Sequence, residues 1–311
     1  MQVFQDNYLG DRLTIRVSGK NISIDSLPTT RKYNRMLVTI IDHGGNECYK
    51  EIYTCGSRIA FTPDIFTPGE YGMRLYAGPA SDNMFHSRFG GKLGLPLLFN
   101  GKKLSFRASP YTLANVLFVG SIPTSKDFLN ECLEPTPYIQ SDHNSIRSLA
   151  AEIRKGRIFR ESLLIGVNDW VASNISYDMD ALFGNRYLDD DHSSLAILRN
   201  KRGVCSGYHN LTSALLRACG IPTLGISCYS LGLGSKGWWY DRNNMDRETN
   251  HIMTAAYVGN RWRLMDVTWD SDLEYRNGKV ISKSGLGASR TYCDASIPYI
   301  SLTHRFDDYE F

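Results

Sequence analysis

The run from Gly203 to Pro222, GVCSGYHNLTSALLRACGIP, constrains this chain more than any other stretch. Leu211, Ala214, Leu215, Ala218 and Cys219 fall at the i, i+3, i+4, i+7 and i+8 positions of one buried helical face. Gly220 stands where a C-terminal cap belongs, and Pro222 forbids continuation. A small loop therefore delivers Cys205 to the mouth of a helix. Unpaired N–H groups and the macrodipole at that end favour the thiolate over the thiol. A lone cysteine more often packs as a small hydrophobe, so a nucleophilic role depends on partners elsewhere in the chain.

Those partners lie on a hairpin. HIMTAAYV (251–258) and RWRLMDVTW (261–269) read as two strands joined by Gly259-Asn260. If that turn holds two residues, Val258 opposes Arg261, Met253 opposes Asp266 and His251 opposes Thr268. His251 and Asp266 then share a face one diagonal step apart, roughly 7–8 Å, within reach of an imidazole and a carboxylate. A one-residue slip would put them on opposite faces. A histidine that takes the thiol proton, with a third group fixing its tautomer, makes a cysteine an acyl acceptor. Cys205, His251 and Asp266 are the candidate catalytic residues. Rivals stand beside them. His209, four residues after Cys205, has the spacing of a metal-ligand pair, but no second pair accompanies it and no metal is implied. Asp270 replaces Asp266 if the turn is longer, and His304 is a weaker candidate base. Cys219 and Cys228 look like core residues.

Around this constellation the chain divides in two. Residues 1–122 read as short strands with regular turn punctuation: Leu13, Ile15 and Val17 alternate with polar residues, followed by RMLVTIID (35–42), PGEYGMRLYAGP (68–79), KLSFRAS (103–109) and TLANVLFVG (112–120). The expectation is an antiparallel, Ig-like β-sandwich without clustered His, Asp or Glu. The aromatic, glycine-rich stretch FHSRFGGKLGLP (85–96) offers a binding loop. Residues 123–311 read as helices followed by an antiparallel sheet, an α+β arrangement. Ser145–Arg154 and the stripe Leu163, Leu164, Val167, Trp170, Val171 and Ile175 mark two helices, and the acidic run 189–191 precedes a third. The long connection 231–250 enters at His251. Its Trp238, Trp239 and Tyr240 offer flat surfaces for a substrate chain, and its charges suggest an open rim.

Composition sets outer bounds. Hydrophobic residues at 42% and charged residues at 22% describe a soluble globular protein, and a net charge of +3 argues for neither nucleic acid nor an anionic membrane. No membrane span or signal-peptide pattern is visible. The seven cysteines show no disulfide framework, so a cytoplasmic, reducing compartment is slightly favoured.

Together, NKRGVCSGYHNLTSALLRACGIP, NHIMTAAYVGNRWRLMDVTWDSD, the upstream WVASNISYD and the tail YCDASIPYISLTH resemble the transglutaminase-like superfamily, papain-related cysteine enzymes that include transglutaminases, bacterial cysteine proteases and peptide N-glycanases. The resemblance covers roughly residues 140 to 311. It implies Cys205 as nucleophile, His251 as general base and Asp266 as its orienter, with no metal and no organic cofactor. Many relatives carry Trp two positions after the histidine and Asn after that, where this chain has Met253 and Thr254. The expectation is a cysteine acyl-transfer enzyme acting on peptide or carboxamide carbonyls of a protein or peptide substrate, hydrolytic as a peptidase or amidase. The alternatives are an amine-transferring transglutaminase, an enzyme that transfers an acyl group from a thioester as arylamine N-acetyltransferases do, or a binding or scaffold module without activity.

Overall fold

Alternation of apolar and polar residues builds the N-terminal part. A computed structural model describes residues 1–8, 11–25, 34–42, 46–78, 92–107, 109, 111–231, 248–283, 287–301 and 303–311, and the chain divides into two units, Met1–Pro110 and Tyr111–Phe311. In the first unit β1 (Gln2–Tyr8), β2 (Asp11–Ser18), β3 (Asn21–Asp25) and β6 (Ile59–Phe61) form one antiparallel sheet in the order β1-β2-β3-β6. The other sheet holds β4 (Arg35–Ile41), β5 (Glu47–Thr54), β7 (Gly69–Gly78), β8 (Lys92–Phe99) and β9 (Leu104–Phe106) in the order β5-β4-β7-β8-β9. Leu13, Ile15, Ile22 and Ile24 of the first sheet and Val38, Met73, Leu95 and Leu97 of the second are buried. This is the expected two-sheet sandwich. Residues 85–91 of the expected binding loop lie outside the described residues.

Segment 112–120 is the clearest departure from the sequence reading. It is not a strand but a helix, α1 (Thr112–Ser121), and it lies in the second unit. Its apolar run resembles a strand locally. In the helix, however, the polar Asn115 points inward and is fully buried, while Leu113, Val116 and Leu117 are exposed. Hydrogen bonds from Asn115 to the end of the chain, rather than periodicity, set its face.

The second unit continues with α2 (Lys126–Glu131), α3 (Asn144–Arg154), α4 (Arg160–Asn174), β10 (Ser176–Asp178), α5 (Met179–Phe183), α6 (Ser194–Asn200), β11 (Arg202–Gly203) and α7 (Cys205–Ala218). Then come β12 (Thr223–Ser230), β13 (His251–Val258), β14 (Arg261–Met265), α8 (Val267–Asp270), β15 (Leu273–Arg276), β16 (Lys279–Ser282), β17 (Cys293–Ala295), α9 (Ile297–Ile300) and β18 (His304–Glu310). The main sheet is antiparallel in the order β17-β14-β13-β12-β18, and a small mixed sheet has the order β11-β10-β15-β16. The chain is thus α+β, a β-rich first unit followed by helices packed on an antiparallel sheet.

Helix α7 is buried more completely than its periodicity predicts. Every residue from Gly207 to Arg217 is buried, whereas Ala218 and Cys219 are only half-buried. It packs on β13 and against α3, α4 and α6, with Leu211, Ala214 and Leu215 in a core shared with Ile146, Val167 and Val171. Close approach to α6 explains two glycines before and inside its first turn. A Cβ at Gly203 or Gly207 would meet Ile197 Cδ1 at 2.5 Å. That contact seats the loop that presents Cys205.

Candidate active site

Gly259 and Asn260 both adopt positive φ, at 63° and 59°, the requirement of a two-residue type I′ turn. The β13–β14 register is the one that turn dictates, from Val258↔Arg261 to Thr254↔Met265. The return strand is shorter than the sequence reading: β14 stops at Met265, and residues 267–270 form α8 instead of a strand. Asp266 is the N-cap of that helix, its Oδ1 accepting from Trp269 N at 3.1 Å. Leaving the ladder frees the other carboxylate oxygen to turn towards β13. His251 Nε2–H donates to Asp266 Oδ2 over 2.8 Å. The second ring nitrogen of His251 is left for the Cys205 thiol, which is near enough for each group to favour the other's charged form.

Cys205 arrives from the opposite side. Its helix has Val204 as N-cap without a side-chain cap, so no side chain covers the first-turn N–H groups. The thiol is half-buried. Burial disfavours its anion, but the hydrogen bond and charge of His251 and the Ile252 backbone N–H outweigh this and lower it below the ordinary thiol value. The other six thiols all move upward, chiefly by burial: Cys55 and Cys132 to about 11, Cys48 and Cys219 less far, and Cys228 and Cys293 well above the usual value. Burial also disfavours the charged form of His251, yet the Asp266 charge and its hydrogen bonds to Asp266 and Cys205 raise it to about 10. Asp266, fully buried, is pushed up by that burial and pulled well below the ordinary carboxylate range by His251 and His304. These shifts all favour the charged forms, thiolate, imidazolium and carboxylate, over the neutral ones.

The rival residues fall elsewhere. His209 lies on the α7 face turned to β13, its Nδ1 2.9 Å from Thr254 Oγ1, and burial with the Arg217 charge lowers it to about 3. It is a neutral packing histidine. Asp270 takes no histidine: its Oδ1 accepts from Ser289 Oγ at 2.6 Å and Tyr292 N at 2.9 Å. Burial raises it to about 8. His304, the weaker candidate base, bonds Asp266 and not the thiol, its Nε2 lying 3.0 Å from Oδ2. Cys228 is buried beside the site and Cys219 is half-buried. Trp238, Trp239 and Tyr240 lie outside the described residues. Among the described residues, His251, Asp266 and His304 offer three possible ligand atoms within 4.8 Å of one another. Both Nε2 atoms of that trio are spent on Asp266 Oδ2.

Two neighbours escaped the sequence reading. Tyr177 pairs across from Gly203, and its ring lies 6.4 Å from that of Tyr208 in the first turn of α7. Burial and the nearby Cys205 charge push its hydroxyl pKa upward, keeping it a donor. Trp269 flanks both histidines, at 6.5 Å from His251 and 4.8 Å from His304. Its only sequence signal was adjacency to the Asp266 turn.

A helix-mouth thiol, a strand-borne imidazole and a carboxylate capping the next helix define a papain-related frame of helices on an antiparallel sheet. Residues 147–267, which include all three, match the model of the transglutaminase-like superfamily, and this part of the chain is transglutaminase-like. Kyphoscoliosis peptidase of Mus musculus is 29% identical over 107 residues, covering 33% of this chain and 15% of the relative. A UPF0252 protein of Methanocaldococcus jannaschii is 23% identical over 157 residues, 49% of this chain and 42% of that protein. The chain thus matches less than half the length of either relative. A solved structure of a candidate cysteine protease from Cytophaga hutchinsonii aligns over 99% of this chain and 91% of its own at 15% identity, with a TM-score of 0.37. No helix among the described residues is long and apolar enough to cross a membrane.

Proposed function

We propose that the second unit is a cysteine acyl-transfer enzyme that hydrolyses peptide or carboxamide bonds, with Cys205 as nucleophile, His251 as acid and base, and Asp266 as its orienter. The observation that carries the reading is the His251 imidazole held 2.8 Å from a buried carboxylate on the strand against which the Cys205 helix packs, and the lowering of that thiol, alone of the seven, agrees with it. The Cys205 thiolate attacks the carbonyl carbon, forming the C–S bond and a tetrahedral oxyanion. The backbone N–H of Cys205, at the uncapped mouth of α7, is the natural donor to that oxyanion. Collapse breaks the C–N bond as His251 gives its proton to the departing amine. Neutral His251 then deprotonates a water, which displaces the thiolate and releases the acid. Hydrolysis is preferred to amine transfer because the mouse relative of this region is named a peptidase.

The test is mass mapping after brief iodoacetamide treatment near neutral pH, alongside digestion of a peptide library. Cys205 labels first, and C205A abolishes cleavage. Preferential labelling of another thiol sinks the assignment. Rapid Cys205-dependent incorporation of a tagged primary amine into a glutamine-containing protein, with little cleavage, replaces hydrolysis by transfer.

A further inference from the structure

The Asp266 carboxylate is served by two imidazoles rather than one. His251 Nε2 and His304 Nε2 lie 2.8 and 3.0 Å from the same oxygen, Oδ2. His304 opens β18, pairs with Ser230 of β12 and is fully buried. A buried imidazole is tolerated only when its polar atoms are matched, and both of its nitrogens are. A carboxylate accepts and cannot donate, so Nε2 carries the hydrogen. Nδ1 is then an acceptor for the Thr303 hydroxyl, 2.7 Å away, which shares its one proton between Nδ1 and the Ile300 carbonyl at 3.2 Å. Trp269 and Tyr292 wall the ring at centroid distances of 4.8 and 5.9 Å.

We propose that His304 is a positioning residue for the thiol–imidazole pair, acting through Asp266 as a second N–H donor from the C-terminal strand. The inference rests on the catalytic reading above. With the Trp269 N–H on Oδ1, Asp266 accepts three hydrogen bonds while fully buried. Three donors fix its rotamer and favour its anion. That anion holds Nε2–H on His251 and turns the other ring nitrogen to the thiol. Burial keeps His304 itself below the ordinary imidazole value despite its bond to Asp266, so it serves as a neutral donor and adds no competing charge. The other titratable groups facing the trio are Cys205 from α7, Cys228 from β12, Tyr177 from β10, Asp270 from α8, Tyr292 and Lys283. Asp270 and the raised Cys228, Tyr177 and Tyr292 titrate at higher pH, so the acid limb belongs to the Cys205–His251 pair.

The experiment measures the rate of Cys205 alkylation by iodoacetamide against pH in the full chain, for the parent, His304→Leu, His304→Gln and His251→Ala. A hydrogen bond to a charged group corresponds to roughly ten- to a hundredfold. His304→Leu is expected to move the acid limb up by about one to two pH units and to lower the rate at pH 5.5 by that factor. His304→Gln, whose amide nitrogen can occupy the place of Nε2, restores most of it. A residue that merely packs would leave the limb unmoved in folded protein. A folded His304→Leu with the parental profile overturns the inference, as does His304→Gln failing as fully as the leucine. If the leucine variant does not fold, Thr303→Val decides: the same shift, smaller, supports the inference, and an unchanged limb overturns it. His251→Ala separates the two claims. Insensitivity of Cys205 to that change sinks the catalytic reading, whereas sensitivity to His251 without sensitivity to His304 sinks only this one.

Discussion

Asp266→Asn probes the centre of the site with a change of one atom. Asp266 is fully buried and takes His251 and His304 on Oδ2 and the Trp269 N–H on Oδ1. Asparagine keeps the helix cap by leaving its oxygen on Trp269. Its amide N–H groups must then face both Nε2 atoms and force them to accept. His251 is thereby driven to the tautomer with its proton on the thiol side, and the ion pair collapses to neutral thiol and imidazole. The rise of His251 from 6.5 to about 10 corresponds to on the order of 5 kcal/mol shared between its two partners. The Asp266 charge is the leading favourable cause. Losing half or more of it implies about 10²- to 10⁴-fold slower chemistry. The assays are Cys205 alkylation at pH 7 and peptide turnover, with circular dichroism to show that the fold persists. The pH window follows from the shifts. The thiolate–imidazolium pair of the parent appears as pH rises through the lowered thiol value and disappears through about pH 10. The asparagine variant loses the neutral part of that window. Turnover within threefold of the parent would refute the role given to Asp266.

Two further substitutions test the surroundings. Gly207→Ala places a Cβ 2.5 Å from Ile197 Cδ1, so it should lower stability by about 1–3 kcal/mol and slow Cys205 alkylation as the helix mouth shifts, read by urea melts and labelling rate. Asp270→Asn removes a carboxyl that burial raises to about 8. In the parent the folded state keeps that proton while the unfolded chain releases it near pH 4, so stability falls between about pH 4 and 8. The variant should flatten that slope, gaining on the order of a few kcal/mol over the parent at pH 8–9 relative to pH 4–5, and melts showing parallel pH profiles would contradict this.

What the sequence disclosed was local and what it hid was tertiary. The helix behind Cys205, the hairpin register through Gly259-Asn260 and the alternation of β2, β4 and β7 each follow from spacing or turn chemistry within a few residues. The end of β14 did not, because Val-Thr-Trp has strand propensity and only the Asp266 cap and its histidine partners bend it into α8. His304 was legible as a candidate but not in its place. Strand β18 pairs with β12, more than seventy residues earlier, and no local pattern announces that pairing. Helix α1 was misread for the same reason, since its buried face is defined by one asparagine whose partners lie at the far end of the chain.

That asparagine also tests where the second unit begins. Asn115 Nδ2 donates to Ser301 Oγ at 2.8 Å and His304 O at 2.9 Å, and its Oδ1 accepts from Phe306 N at 2.9 Å. Phe118 meets Phe306 edge-on at 5.9 Å. A fragment starting at Tyr111 retains these contacts, whereas one starting at Pro123 leaves the His304 carbonyl and the Phe306 N–H without their partner. Each orphaned group costs about 1–3 kcal/mol while it stays buried, and less once water reaches it. The shorter fragment should therefore melt roughly 5–15 °C below the longer one. Because the lost contact holds the backbone of His304, its acid limb of Cys205 alkylation should rise as well. Equal melting temperatures and equal alkylation profiles would show that α1 contributes nothing to the second unit, and would return the boundary to about residue 122.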